Sequence, residues 1–563
     1  MKKPKSTTLR NLLLNFRLAQ FSNKNSEIDI NKIIEFKNAD LFSRRKFVGD
    51  FAKLGLLTGL MGPTALIGCN ENKSTREAAA AINVAIIGAG MGGLNAAWHL
   101  KKAGIKATVY EGSNRLGGRI LTHYGDVLKM GIHPEFGADF IDSNHADMLA
   151  LANEFELELI DMYSESSAAN LRHETFFFDG RHISEEEIII EFKKIAPQLI
   201  KDAESLGEDY DTPEALLLDK LPLSNYINSL KCKKWLKDIL TTAYIAEFGL
   251  ETSEQSTINM LDMIETDTAE GFKVFGDSDE KYRIKKGNSA LIALMAAQLE
   301  GSIEMKSMLT GISDKNGKYI LSFNEKEEVL ADFVIIAIPF TTLRNVQLNL
   351  KDITEDKKNA IQNLGYGQNN KLFLGYENMP WREGGNKFYG YLFHKDIHDG
   401  WDASTIKSVE NTKGVYCCFF GGNESLRLSQ VAVKNPDAPP SHDWKTDLPQ
   451  KEINKYVNEL DLVFPQSKNT FAEKHAFASW STNPFINASY TCPKPGQWNT
   501  EMLHTSTPIG DVYFAGEHCS IDFQGFMNGA AETGRVAAEQ IIEKINLTSK
   551  SVEEKREGFE KRQ

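Results

Sequence analysis

The sequence predicts an α/β protein (α+β overall) in which a parallel sheet with helices on its faces is joined to a second, mixed α/β domain. Three observations lead there. A short β-branched run, a glycine turn, an amphipathic helix and a second strand follow one another without interruption from Ile82 to Glu111. The chain has 563 residues, more than a single hydrophobic core organises well, so two domains are expected. Its composition, 41% hydrophobic and 25% charged, is that of an ordinary soluble protein, with enough apolar content to fill two cores.

The first element is Ile82–Ile87, read as a buried parallel strand. Gly88-Ala89-Gly90-Met91-Gly92-Gly93 follows at once and is a G-x-G-x-x-G turn opening the helix LNAAWHLKKAG. The strand KATVY then ends at Glu111, at the spacing of roughly 20 residues where such units keep an acidic residue. Each position has a physical task. Gly88 makes the tight turn, Gly90 lets backbone approach a pyrophosphate, and Gly93 lets helix and strand pack closely. Phosphates then sit on the helix N-terminus, and the Glu111 carboxylate accepts hydrogen bonds from ribose hydroxyls. This is a Rossmann-like dinucleotide site.

Two further stretches choose the dinucleotide. Arg115-Leu116-Gly117-Gly118-Arg119-Ile120-Leu121-Thr122 follows the second strand, and Glu135 to Ile141 reads EFGADFI. Far along the chain, the strand-like Asp511–Ala515 leads into Gly516-Glu517-His518, and Gly525-Phe526-Met527-Asn528-Gly529-Ala530 opens a helix of small residues. Together these resemble the signatures of the flavin-containing amine oxidase family, which includes monoamine, polyamine and L-amino-acid oxidases. The resemblance spans about Ile82 to Lys544. It implies a glutathione-reductase-like FAD-binding domain and FAD as cofactor, with Gly117, Gly118, Arg119, Gly137 and Ala138 along the pyrophosphate and ring, and Glu517 on the ribityl hydroxyls. Leu309 corresponds to a residue that meets adenine through its backbone, although valine is commoner there. The helix starting near Phe526 or Met527 aims its N-terminus at the flavin, where the N–H groups stabilise negative charge on the reduced ring.

The resemblance also names reacting groups. Lys371, in GQNNKLFL, matches a lysine that holds a water against the flavin's reactive nitrogen. Tyr490 and Phe526 match the two aromatics that flank the substrate amine; Phe526 stands where tyrosine is commoner, keeping the wall and losing a hydroxyl. Trp381 is expected to be packing. Ser489 replaces the cysteine that bonds flavin covalently in some monoamine oxidases, and Cys492 is out of register, so non-covalent FAD is expected. The implied reaction is oxidation of a primary or secondary amine, with oxygen as acceptor and hydrogen peroxide as product. The alternatives are an L-amino-acid oxidase or dehydrogenase passing electrons to quinone, a desaturase or protoporphyrinogen oxidase, and a flavin-binding accessory protein without turnover. An amino-acid oxidase needs an arginine or similar donor for the α-carboxylate. The motif that carries it in secreted L-amino-acid oxidases is replaced here by Ala138-Asp139-Phe140-Ile141, which favours amines.

The remaining segments set organisation and address. Domain boundaries are expected at 82–142, 280–344 and 479–545 for the cofactor domain and at 143–279 and 345–478 for the substrate domain, with a charged tail over 546–563. Ser43-Arg44-Arg45-Lys46-Phe47, followed by a short glycine-rich apolar stretch, resembles a twin-arginine export signal, and Leu66-Ile67-Gly68-Cys69 resembles a lipoprotein box with Cys69 as the lipidated residue. Residues 1–81 are thus expected to be signal and tether, delivering the protein to the periplasm, free or membrane-anchored. A net charge of −13 argues against a nucleic-acid partner and is compatible with a cationic substrate. The six cysteines lack CxxC spacing, so no metal site is expected, and Cys417-Cys418 in GVYCCFF reads as two small buried hydrophobes.

Overall fold

A computed structural model describes residues 82–124, 128–324, 327–383, 387–407, 412–434 and 446–560. The signal-like stretch, including the arginine pair and Cys69, lies outside them. At the centre is a five-stranded parallel sheet, in the order Val512–Phe514, Phe333–Ile336, Val84–Ile87, Ala107–Tyr110 and Ile303–Glu304. Val84–Ile87 is buried along its whole length, as a central parallel strand covered on both faces must be. Every strand of this sheet comes from 82–142, 280–344 or 479–545, so distant stretches of chain meet at its carboxyl edge. Ligands of open α/β sheets bind at that edge.

Helix Met91–Lys102 covers one face and packs along the final helix, Met527–Glu560. The two approach closely because both carry glycine at the crossing. A Cβ on Gly534 would lie 2.2 Å from the carbonyl oxygen of Gly92. Asn95 locks the pair by donating to the Ala531 carbonyl at 2.7 Å. The helix runs on through the charged tail to Glu560. Glu and Lys are strong helix formers and no proline interrupts the stretch, so backbone propensity carries the helix past its packed part.

The second large sheet has seven strands, in the order Phe471–Ser479, Asn370–Tyr376, Gly414–Phe420, His398–Asp402, Phe388–His394, Arg172–Phe178 and Arg181–Ile183. Neighbours are antiparallel except for Phe388–His394 on Arg172–Phe178. These strands come from 143–279 and 345–478, with Ser479 at the edge. Cys417 and Cys418 are fully buried on opposite faces of one strand, and Trp381 is buried with its indole N–H on Asp402 at 2.9 Å, a packing role as expected.

Helices between 185 and 263 cover this sheet. The longest, Lys234–Phe248, packs on three of its strands and stops at Gly249, whose φ of +69° is the left-handed conformation glycine adopts without penalty. A Cβ there would also strike the Asn369 side chain, 2.1 Å away. The stop leaves the last turn, with Glu247, pointing at the junction of the two sheets. Among the described residues no helix is long and apolar enough to cross a membrane.

Candidate active site

A cavity of about 570 Å³ runs from the glycine turn after the first strand to the seven-stranded sheet. That volume is in the range of cofactor and ligand clefts, roughly 300–1,000 Å³. At one end it is lined by Gly88, Gly90, Met91, Gly92 and Glu111. Ala89 and Gly93 do not line it and serve the turn from behind. The Ala89 N–H donates to the Glu111 carboxylate at 2.8 Å, and a Cβ on Gly93 would lie 1.9 Å from the Gly88 carbonyl oxygen.

The residues present fit a dinucleotide. Helix Met91–Lys102 has no side-chain cap and no acid in its first turn, so its terminal N–H groups are available to a phosphate. Gly118 faces Gly90 across the cleft, and a Cβ on Gly118 would come within 3.2 Å of the Gly90 Cα, closing the gap a pyrophosphate needs. Leu309, at the start of strand Leu309–Lys315, lines the wall near Glu111 and Met308.

Further along, Arg119 and Glu517 form a hydrogen-bonded ion pair at 2.7 Å, and Arg119 also donates to the Ser489 carbonyl at 2.8 Å. Burial alone would raise the Glu517 carboxyl, but the adjacent guanidinium outweighs it and holds the group below its usual range. Its second oxygen accepts the Gly525 N–H at 2.8 Å, fixing the turn before helix Met527–Glu560. Gly117, Gly118, Gly137, Ala138, Gly516, Phe526 and Met527 all line the same cavity. Ser489 donates its hydroxyl to Asn369 at 2.6 Å.

Lys371 belongs to strand Asn370–Tyr376 and is buried. Its ammonium donates to the carbonyls of Gly137 (2.7 Å) and Glu135 (3.1 Å) and lies 4.9 Å from the centre of the Trp401 ring. An ammonium has three donors, so one remains for the cavity. Asp139 stands 3.8 Å away, itself held by Arg283 at 2.8 Å and by the Trp401 indole at 2.8 Å. Tyr490 and Phe526 line the same space, and a Cβ on Gly525 would lie 3.3 Å from the Tyr490 ring. Burial, reinforced by nearby carboxylates, raises the Tyr490 phenol well above its usual value, so it remains neutral.

Sequence reasoning missed a set of acids here. Asp142, Glu247, Glu280 and Asp399 line the cavity beside Tyr490 and Trp401. Burial, with repulsion from Asp279, pushes Asp142 up to about 7; burial, with repulsion from one another and from Asp142, pushes Glu247 up to about 7 and Glu280 and Asp399 well above the carboxylate range. Their positions share no spacing, and only Asp142, directly after EFGADFI, is within reach of a motif.

A nucleotide cleft continuous with an aromatic pocket that holds a buried lysine defines a flavoprotein oxidoreductase. The model of the flavin-containing amine oxidoreductase family matches residues 91–542. Pseudooxynicotine dehydrogenase of a Pseudomonas species is 23% identical over 516 residues, covering 89% of this chain and 96% of that protein. Polyamine oxidase 5 of Oryza sativa subsp. japonica is 23% identical over 474 residues, covering 81% and 87%. The fold is also that of putrescine oxidase in its putrescine-bound structure, with a TM-score of 0.66 at 18% identity, covering 82% of this chain and 99% of that one. The chain belongs to the flavin-containing amine oxidoreductase family and is an oxidoreductase acting on amine groups.

Proposed function

We propose that this protein oxidises a primary or secondary amine to the imine, which water converts to aldehyde and ammonia or a smaller amine, with oxygen as acceptor and hydrogen peroxide as product. The observation that carries the reading is the meeting of Lys371, Tyr490 and Phe526 in the cavity that also gathers the nucleotide motifs. Bound FAD supplies the acceptor for the hydride equivalent lost from the carbon beside nitrogen. The chain's own groups orient and desolvate. Tyr490 and Phe526 present ring faces to the amine, and Lys371 holds a donor on the far wall. The amine reacts in its neutral form, since an ammonium has no lone pair to drive loss of hydride, so turnover rises toward alkaline pH.

Amines are favoured over amino acids by the arginines. Among the described residues, those lining the cavity are Arg115 and Arg119. Both are committed at the cofactor end, Arg115 to the carbonyls of Gly118 and Leu116, and Arg119 to Glu517. Among the described residues no further guanidinium lines the cavity at its aromatic end for an α-carboxylate. With Ser489 in place of a flavin-linking cysteine, FAD is held without a covalent bond. The twin-arginine-like stretch and the Cys69 box support export of the folded, cofactor-loaded protein to the periplasm, either free or anchored by lipid at Cys69. The test is a peroxide-coupled and dye-coupled screen of amines, polyamines and amino acids. Amine-dependent peroxide supports the reading. Turnover of amino acids alone, or of dye without peroxide, overturns the substrate or the acceptor respectively.

A further inference from the structure

The amine-oxidising reading leaves four carboxylates of the pocket without a task. Asp142 follows the EFGADFI stretch, Glu247 ends helix Lys234–Phe248, Glu280 precedes strand Tyr282–Ile284, and Asp399 is in strand His398–Asp402; all four line the cavity. Two other acids lining the cavity or its wall are paired with arginine, Glu517 with Arg119 and Asp139 with Arg283. These four are not. Among the described residues no lysine or arginine comes within ion-pair distance of Glu247, Glu280 or Asp399. Asp399 accepts from the Tyr391 hydroxyl at 2.9 Å and from the Gly400 N–H, and Tyr391 also bonds Glu280. Asp142 is taken up by the Glu280 N–H at 2.9 Å and by His145 at 3.3 Å. Glu247 is different: it is half-buried, it lines the cavity, and no donor of the described residues reaches it.

Carboxylates crowded in a low-dielectric pocket cannot all ionise without a counter-charge. A single metal ion does not suit them, because their oxygens do not converge. Among the described residues, the one group of three such ligands lying within 4.8 Å of one another is His394, Asp396 and Glu459, elsewhere in the structure. A spread-out organic cation suits them better, and the neighbouring Trp401 and Tyr490 rings offer faces to its methylenes and charge. We infer that the substrate carries a second cationic nitrogen: a diamine or polyamine lies with one amine between Tyr490 and Phe526 and its far ammonium against Glu247, Glu280 and Asp399.

The inference rests on the amine-oxidising reading, and the two can fail separately. Anaerobic flavin reduction in the full-length, FAD-loaded protein is followed with 1,4-diaminobutane and spermidine against n-butylamine and n-pentylamine. The diamines are expected to saturate at roughly 30-fold or more lower concentration, the ratio that corresponds to losing one partner of a buried charge pair. In E247Q that ratio should fall by roughly tenfold. Monoamines and diamines saturating within about threefold of each other would overturn this inference and leave amine oxidation standing; no reduction by any of the four would overturn both. A second readout needs no variant. The titratable groups facing the cluster are His145 and Asp279 beside Asp142, Tyr391 and Tyr490, and Glu174 near Asp399. At pH 7, anaerobic calorimetry on the protein with its flavin already reduced, in two buffers of different ionisation enthalpy, should show 1,4-diaminobutane releasing more protons on binding than n-butylamine does. Equal release overturns the inference.

Discussion

Replacing Asp139 by asparagine isolates the support beneath Lys371. Asp139 and Arg283 are a buried pair, with side chains 5% and 2% exposed, joined at 2.8 Å and 3.2 Å. Removing one charge of such a pair leaves the other uncompensated, which costs about 3–5 kcal/mol. Arg283 would keep the Asp402 carbonyl at 2.9 Å, the Thr405 hydroxyl at 2.8 Å and the face of Phe140, whose centre is 4.5 Å away. The loss for D139N is therefore expected near the lower end, about 3 kcal/mol. An apolar pair of similar volume removes both desolvation costs but leaves the Trp401 indole without its acceptor, so D139L/R283M should recover part of that loss. Guanidinium unfolding of the FAD-saturated protein, followed by tryptophan fluorescence, measures each variant. A D139N loss below about 1 kcal/mol, or a double variant no more stable than D139N, would refute the reasoning.

Four other outcomes are expected. Burial, with Asp139 adding repulsion, pushes Glu135 up to about 8 from an ordinary 4.5, so the folded state holds a proton that the unfolded state releases. Its contribution is complete below pH 4.5 and declines as pH rises toward 8. Melting temperatures of wild type and E135Q should therefore converge or cross in the variant's favour between pH 5 and pH 8, and a pH-independent difference contradicts this. G93A forces a Cβ against the Gly88 carbonyl and should cost roughly 3 kcal/mol or prevent folding, any soluble protein purifying without yellow colour. Acid precipitation of the wild type should leave the flavin in the supernatant; colour retained by the pellet would show a covalent bond despite Ser489. K371M strips the donor from the Gly137 and Glu135 carbonyls and from the cavity, and should slow flavin turnover by about 10²-fold with a smaller change in apparent substrate affinity.

Much of the cofactor end was legible because its contacts are local. Gly88, Gly90, Gly93 and Glu111 all act within one strand–helix–strand unit, where spacing along the chain and position in space are the same information. The Gly516-Glu517 turn and the helix from Met527 were legible for the same reason. Their meeting with the first strand was implied by family resemblance, and it is the parallel register of Phe333–Ile336 between Val84–Ile87 and Val512–Phe514 that brings it about. Only tertiary structure decided the rest. Asp139 means little until Arg283 and the Trp401 indole arrive from strands far along the chain. Glu247, Glu280 and Asp399 have no common spacing, and any one of them reads as an ordinary surface acid. Their proximity depends on where helix Lys234–Phe248 stops and how the seven strands pair, and those choices are settled by packing over hundreds of residues, which no short motif encodes.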